Sequence, residues 1–257
     1  MSIPKIIHYC WFGRNEKPAL IKKCLKSWKK YCPDYEIIEW NEDNFDVNSI
    51  RFCKQAYQAK KWAFVTDYVR LKVLSEMGGI YMDTDVELLK SLDSFLDFQC
   101  FLGFQHEHYV STGLVIGAQP GDEFIAQNAG IYEDMEFMDE TNSHKLVVCQ
   151  EYTTKLLQER GLVIPDTGEI QRLGDIVVFP PEYFCPYDHR TGIMNRTEHT
   201  VAIHHFASSW WDKERKKAHN RSKQQDRIHY ITHIPNRLLK RILGEDRYQR
   251  MKTFLRP

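Results

Sequence analysis

Residues 78–87, which read Gly-Gly-Ile-Tyr-Met-Asp-Thr-Asp-Val-Glu, constrain the fold of this chain more than any other segment. Paired glycines after a long stretch of helical periodicity predict that a helix ends there, and residues 80–82 predict a short buried strand. Asp83 and Asp85 come directly after that strand. The order of helix, strand and carboxylates is typical of α/β folds, in which ligands bind beyond the carboxyl ends of the strands.

The alternation of apolar patterns elsewhere predicts the same class of fold. Residues 5–12 read as a first strand, 18–31 as a helix and 35–40 as a second strand. Residues 50–77 show helical periodicity in two pieces. Further predicted elements alternate along the chain, with strands at 100–104, 113–117, 175–179 and 201–206 and helices near 121–137 and 143–160. We therefore predict an α/β domain with a mainly parallel central sheet.

The charge of the chain is distributed unevenly. The 257 residues carry no formal net charge, but residues 213–257 hold 14 Lys and Arg against 4 Asp and Glu, a balance of +10. Residues 1–212 hold 21 against 31, a balance of −10. We predict one globular domain over residues 1–212 and a basic, helical extension over residues 213–257. A basic segment of this kind suits a polyanionic surface, either anionic lipid or nucleic acid.

The cysteines and the apolar runs bear on the compartment. Seven cysteines form an odd number without a Cys-x-x-Cys spacing, which argues against a disulfide framework and against a zinc site. The longest apolar runs are far shorter than a membrane span. Residues 1–5 lead into a strand rather than a signal peptide. We expect a cytoplasmic protein that lies on the cytoplasmic face of the membrane through residues 213–257.

The spacing of Asp83 and Asp85 predicts a metal site. In an extended segment the two carboxylates lie on one face and repel each other by a few kcal/mol at an effective dielectric of about 20. A hard divalent cation relieves this repulsion and keeps positions open for phosphate oxygens and water. We therefore predict Mn²⁺ or Mg²⁺ with a nucleotide-diphosphate ligand. Glu87 continues the alternation and either supports the ligands from behind or faces solvent.

Three parts of the sequence together carry a family resemblance: residues 59–71, the glycine pair, and Asp83-Thr84-Asp85. They resemble the family 32 glycosyltransferases, known by a sugar-binding region containing a DXD motif, and the similarity runs from Ile3 to roughly Trp211. The resemblance implies a GT-A type, Rossmann-like fold and a catalytic domain over residues 1–212. It also implies retaining, metal-dependent transfer of a hexose from a nucleotide sugar, UDP-linked by expectation, to a saccharide in capsular or surface polysaccharide synthesis.

The resemblance assigns roles to residues before and after the DXD motif. Asp67 would bind hydroxyls of the donor sugar, Arg70 would support the sugar or the two carboxylates, and Trp11 would stack on the nucleotide base. Thr112, with Ser111, would supply hydroxyl contacts to the donor. Asp67 and Arg70 also lie three residues apart on a predicted helix, so a simple intrahelical ion pair is the alternative. The alternative for Trp11 is a core aromatic.

Residues 201–211, Val-Ala-Ile-His-His-Phe-Ala-Ser-Ser-Trp-Trp, resemble the C-terminal active-site loop of the family. The family spacing selects His205 as the third metal ligand beside the two carboxylates. It selects Ser208 and Trp210 as groups that reach the diphosphate. His204 reads as a core residue and remains the alternative ligand.

Two other classes of function stay open at this point. An apolar strand followed by Asp-x-Asp also begins the haloacid-dehalogenase phosphatases, in which Asp83 would be the nucleophile. Here Val86-Glu87 replaces the usual Gly-Thr turn, and Gly174-Asp175 is only a faint candidate for the later acidic motif. A non-catalytic adaptor would act through its basic residues 213–257. We expect a UDP-sugar donor, a lipid-linked saccharide acceptor and an anionic membrane as partners, and no nucleic acid.

Overall fold

The computed structural model describes residues 2–106, 108–138, 149–188 and 192–207. The first half contains β1 (Ile6–Cys10), α1 (Ala19–Tyr31), β2 (Glu36–Trp40), α2 (Arg51–Gln58), α3 (Trp62–Met77), β3 (Gly79–Met82) and β4 (Val86–Leu88). The second half contains β5 (Cys100–His106), β6 (Tyr109–Ser111), β7 (Val115–Ala118), α4 (Glu123–Glu133), α5 (Cys149–Gln158), β8 (Gln171–Leu173), β9 (Ile176–Phe179), α6 (Pro181–Phe184), β10 (Tyr187–Asp188), β11 (Ile193–Met194) and β12 (Ala202–His204).

Eight strands form the central sheet in the order β2-β1-β3-β7-β5-β9-β8, with β6 paired to β5. β1 is parallel to β2 and β3, and β5 is parallel to β9. β7 lies antiparallel between β3 and β5, and β6 and β8 are antiparallel to their neighbours. Five strands, β2, β1, β3, β5 and β9, therefore run in one direction. The predicted α/β fold with a mainly parallel sheet is confirmed.

The elements predicted from periodicity are present within a few residues. The two helical pieces predicted at 50–77 are α2 and α3, and the strand predicted at 201–206 is the shorter β12. The short strands β4, β6, β8, β10 and β11 were not predicted, because two or three residues are too few to show a period. The predicted extension at 213–257 lies outside the described residues, as does the start of the helix predicted at 143–160.

The sheet is packed between two apolar clusters. Successive residues of β9 show the division, since Ile176 and Val178 belong to one cluster and Val177 and Phe179 to the other. The first cluster contains residues of α2, α3, α4 and α5, and the second contains residues of α1 and α6. The result is a layer of helices on each face of the sheet. All seven cysteines are buried and none is in a disulfide, as expected for reduced packing residues.

The sheet and its helices belong to one compact unit, residues 1–187 with 195–210. A second unit includes residues 188–194, of which 188 and 192–194 are described. No helix within the described ranges is long and apolar enough to cross a membrane.

The glycine pair places β3 against β1. α3 ends at Gly78, whose φ is 65°, and the next residue, Gly79, has φ 99°; both values lie in the region that favours glycine. A Cβ at Gly79 would lie 2.9 Å from His8 Nε2 and 2.9 Å from the carbonyl oxygen of Ile6. Because β1 and β3 are parallel neighbours, Trp11 and Asp83 leave the sheet at the same edge.

Candidate active site

Asp83 and Asp85 lie in a tight turn. The backbone N–H of Val86 donates to the carbonyl of Asp83 at 3.0 Å, and the N–H of Asp83 donates to the carbonyl of Gly113 at 3.1 Å. The sequence predicted that the two carboxylates lie in an extended segment, and that prediction is wrong. The reason is that β4 leaves the main sheet after the turn and pairs with β12 in a separate two-stranded sheet.

Arg70 joins the predicted donor-binding residues to Asp83. Its Nη2 lies 3.2 Å from Asp67 Oδ1 and 3.2 Å from Asp83 Oδ1, and its Nη1 donates to Thr112 Oγ1 at 3.1 Å. The hydroxyl of Tyr81 donates to Asp83 Oδ1 at 2.9 Å. The Arg70 side chain is only 5% exposed. The predicted Asp67–Arg70 ion pair is present, and it extends to Asp83 and Thr112.

Burial changes the acid strength of this group. It raises the pKa of Asp67 to about 6, against the opposing positive charge of Arg70. For Arg70, burial works to lower the pKa, but Asp83, Tyr81 and Asp67 keep that pKa well above its ordinary value. Arg70 is thus a permanent cation, and Asp67 is a carboxyl group that titrates close to neutrality.

Asp85 contacts the C-terminal segment. Its Oδ1 lies 3.2 Å from His204 Nε2, its Oδ2 accepts from the N–H of Ala207 at 2.7 Å, and its carbonyl accepts from the N–H of His205 at 3.0 Å. Burial works to raise the pKa of Asp85, but the charge of His204 and the hydrogen bonds from His204 and Ala207 together lower the pKa to about 2. Burial works to lower the pKa of His204. The negative charge of Asp85 and its hydrogen bond to His204 nevertheless keep this pKa well above the ordinary value.

The structure places His204, rather than the predicted His205, with the two carboxylates. One ligand atom each from Asp83, Asp85 and His204 lies within 4.8 Å of the others. His205 Nε2 is instead 2.8 Å from Oε2 of Glu87. The reason is the pairing of β12 with β4, because successive side chains along an extended chain point to opposite sides. Glu87 contacts His205 and Lys23, and its side chain is 16% exposed.

The donor set fits a divalent cation. Two carboxylates suit hard cations such as Mg²⁺, and an added imidazole shifts the preference toward Mn²⁺. Each carboxylate already has a positive partner, since Arg70 contacts Asp83 and His204 contacts Asp85. The sequence-based prediction assumed that the two carboxylates have no positive partners, and the structure corrects that assumption. His204 Nε2 becomes a ligand only after it loses its proton.

Three further predicted residues lie apart from this cluster or outside the described chain. Trp11 is half-buried, donates from Nε1 to the carbonyl of Asn15 at 2.7 Å, and has Lys17 Nζ 5.5 Å from its ring centre. Trp11 follows β1 and Asp83 follows the parallel strand β3, so both lie at the same end of the sheet. Ser208 and Trp210 lie outside the described residues.

Two residues of the site were missed in the sequence. Tyr81 precedes Asp83 by two positions, a spacing that puts both on one side of a strand and that offered a signal for the contact. Gly113 had no signal, because its role comes from a close approach in space. A Cβ at Gly113 would lie 2.3 Å from Asp83 Oδ2 and 3.2 Å from Arg70 Nη1.

We expect Gly113→Ala to displace the carboxylate of Asp83 and to weaken Mn²⁺ binding by about tenfold or more, the size of effect seen when the support of a metal ligand is disturbed. Titration of Mn²⁺ with detection of the free ion measures this change. Gly130→Ala is the matched control, because a Cβ there meets nothing within 4 Å in the interior of α4. That variant should bind Mn²⁺ normally and gain about 0.5–1 kcal/mol of stability. Equal Mn²⁺ affinities in the two variants would contradict the expected displacement.

Comparison with known proteins supports the sequence resemblance. Residues 18–102 match the family described as glycosyltransferase sugar-binding region containing DXD motif. The matched part runs from α1 to β5 and includes Asp67, Arg70, Asp83 and Asp85.

Curated relatives match over different lengths. The chain is 30% identical over 130 residues to inositol phosphoceramide mannosyltransferase 3 of Schizosaccharomyces pombe, which covers 49% of this chain and 36% of that protein. It is 24% identical over 201 residues to the uncharacterized glycosyltransferase L373 of Acanthamoeba polyphaga mimivirus, which covers 72% of this chain and 78% of that protein. The match therefore spans little more than a third of the fission-yeast relative.

A solved structure has a similar fold. The PaToxG glycosyltransferase superposes with a TM-score of 0.50 at 18% identity, over 62% of this chain and 70% of that chain. Together with the sheet order, this likeness confirms the predicted GT-A type fold.

Proposed function

We propose that the protein transfers a hexose from a nucleotide sugar, most simply a UDP-sugar, to a saccharide hydroxyl, because residues 18–102 match the DXD-containing glycosyltransferase family. One observation carries the proposal. Asp83, Asp85 and His204 bring three ligand atoms together at the end of β3, and Asp83 is held by the buried Arg70 that also contacts Asp67. A cation site is thus joined directly to a site for sugar hydroxyls.

Asp83, Asp85 and His204 would hold Mn²⁺ or Mg²⁺. When bound, the cation supplies positive charge for the diphosphate leaving group, which becomes more negative as the bond to the sugar breaks. Retention at the anomeric carbon is part of the proposal, and it includes a front-face route because no carboxylate is assigned as an enzymic nucleophile.

The remaining residues bind and orient the donor. In this proposal Asp67 accepts hydrogen bonds from the sugar hydroxyls. Arg70 fixes the orientation of the Asp67 carboxylate through the 3.2 Å contact between the two side chains. Thr112 receives a hydrogen bond from Arg70 and is almost fully buried, so its hydroxyl has a fixed position beside the sugar. Trp11, at the same edge, would stack on the base. These fixed groups avoid reorganisation during the reaction, which is the main advantage of a preorganised site.

The acceptor is proposed from two observations. The fission-yeast relative is named an inositol phosphoceramide mannosyltransferase, a name that gives a ceramide lipid as the acceptor of that protein. Residues 213–257 of this chain carry the balance of +10, which suits an anionic membrane. We therefore propose a lipid-linked saccharide acceptor at the cytoplasmic face of a membrane, and a role in surface or capsular polysaccharide synthesis.

Calorimetric titration of UDP and of GDP into the purified chain, with Mn²⁺ and with chelator, tests the donor site. We expect one of the two nucleotides, UDP, to bind only when Mn²⁺ is present. Hydrolysis of UDP-glucose, UDP-galactose and GDP-mannose then identifies the sugar. Manganese-dependent binding of GDP would keep the proposed transferase activity but change the proposed donor from a UDP-sugar to a GDP-sugar. Absence of binding by both nucleotides would contradict the proposal.

A further inference from the structure

Glu87 and His205 form a pair behind the three proposed ligands. His205 Nε2 and Lys23 Nζ both lie 2.8 Å from Glu87 Oε2. The side chains of Glu87 and His205 are 16% and 25% exposed, whereas Lys23 is 61% exposed. Solvent and salt therefore screen the contact with His205 less than the contact with Lys23.

β4, which carries Glu87, is anchored to α1. Trp28 Nε1 donates to the carbonyl of Val86 at 2.7 Å, and the N–H of Leu88 donates to Ser27 Oγ at 2.9 Å. Trp28 is fully buried, so its indole has no freedom to release the strand. The residue between these two bonds is Glu87, and its backbone is consequently held in place.

The segment attached to Glu87 is the one that holds Asp85. The ladder between β12 and β4 ends at His204 paired with Val86, and the chain turns at Phe206, whose φ is 50°. Between these points, the N–H of His205 reaches the carbonyl of Asp85. The side chain of His205 adds a second contact at this position, so it fixes the chain between its last ladder pair and Ala207.

We infer that Glu87 and His205 are positioning residues for the cation site. Their contact holds residues 204–207 so that His204 and Asp85 face Asp83 together. The inference rests on the proposed function, because it takes these three residues as the cation ligands. Neither Glu87 nor His205 touches the cation; they act through His204 and Asp85, as the hydrogen-bonded supports of metal ligands do in other proteins.

The test is an EPR titration of Mn²⁺ into the full chain without nucleotide, with the signal of the free ion as readout. We expect His205→Ala and Glu87→Ala to weaken Mn²⁺ binding by about tenfold or more. His205→Gln keeps an N–H that can reach Glu87 and should recover most of the affinity. Lys23→Ala is the matched control, because it removes the exposed partner of the same carboxylate and should change affinity by less than about twofold.

Two results would overturn the inference while leaving the cation site in place. One is wild-type Mn²⁺ affinity in both alanine variants. The other is a loss of binding in His205→Ala as complete as in His204→Ala, without recovery in His205→Gln, because His205 would then be a ligand. Glu87→Gln, which keeps the side-chain shape, replaces Glu87→Ala if the latter unfolds. A wild-type chain that does not bind Mn²⁺ would overturn the proposed cation site and this inference together.

Discussion

Asp85→Asn should reduce metal-dependent sugar transfer by at least about a hundredfold, the effect of removing one preorganised electrostatic group from an active site. The substitution keeps the size of the side chain and an oxygen that can accept from the N–H of Ala207, a bond of 2.7 Å in the wild type. It removes the negative charge that serves both His204 and the proposed cation. Transfer therefore falls because cation affinity falls.

Donor hydrolysis and Mn²⁺ titration measure these two consequences on one preparation. Asp34→Asn is the matched control. Asp34 is an exposed carboxylate in the turn between α1 and β2, and it pairs with Lys5. It should keep wild-type turnover and Mn²⁺ affinity. Full turnover in Asp85→Asn at low Mn²⁺ concentration would remove Asp85 from the ligand set.

Replacing Arg70 should have the largest effect on stability. Arg70→Met leaves Asp67 and Asp83 without the cation that both contact, and breaking a buried ion pair by removal of one partner costs about 3–5 kcal/mol. The cost is partly relieved at Asp67, because its raised pKa of about 6 lets it take up a proton at little expense. Denaturant unfolding monitored by circular dichroism measures the loss.

Arg70→Lys separates stability from function. Lysine keeps the charge, but its single ammonium cannot reproduce the planar fork that reaches Asp67, Asp83 and Thr112 together. We expect this variant to fold and to lose about a hundredfold in transfer. Lys72→Met, which breaks an exposed ion pair with Glu76 on the same helix, should change stability by less than about 1 kcal/mol. Equal losses in Arg70→Met and Lys72→Met would show that the Arg70 network does not stabilise the fold.

The local elements were well predicted because their signals are local. The apolar residues of α3 and its glycine stop are visible in the sequence, and so are the short strand β3 and the carboxylates after it. The same reasoning predicted that Asp67 and Arg70 share a helix face, which their 3.2 Å contact shows. The direction of β7 was not predictable in this way, because an apolar run reads the same for a parallel and an antiparallel strand.

The sequence by itself determined the α/β class, the order of the elements, and the set of side chains available for a cation and a sugar. The class and the order follow from periodicity and residue type within short windows, whereas the side chains proposed for the sugar follow from the family resemblance. Only the tertiary structure decided that His204 rather than His205 joins the carboxylates, that Arg70 reaches Asp83, and that Gly113 must lack a side chain. The physical reason is that each of these contacts depends on strand pairing and packing between residues distant in the chain, which no local pattern specifies.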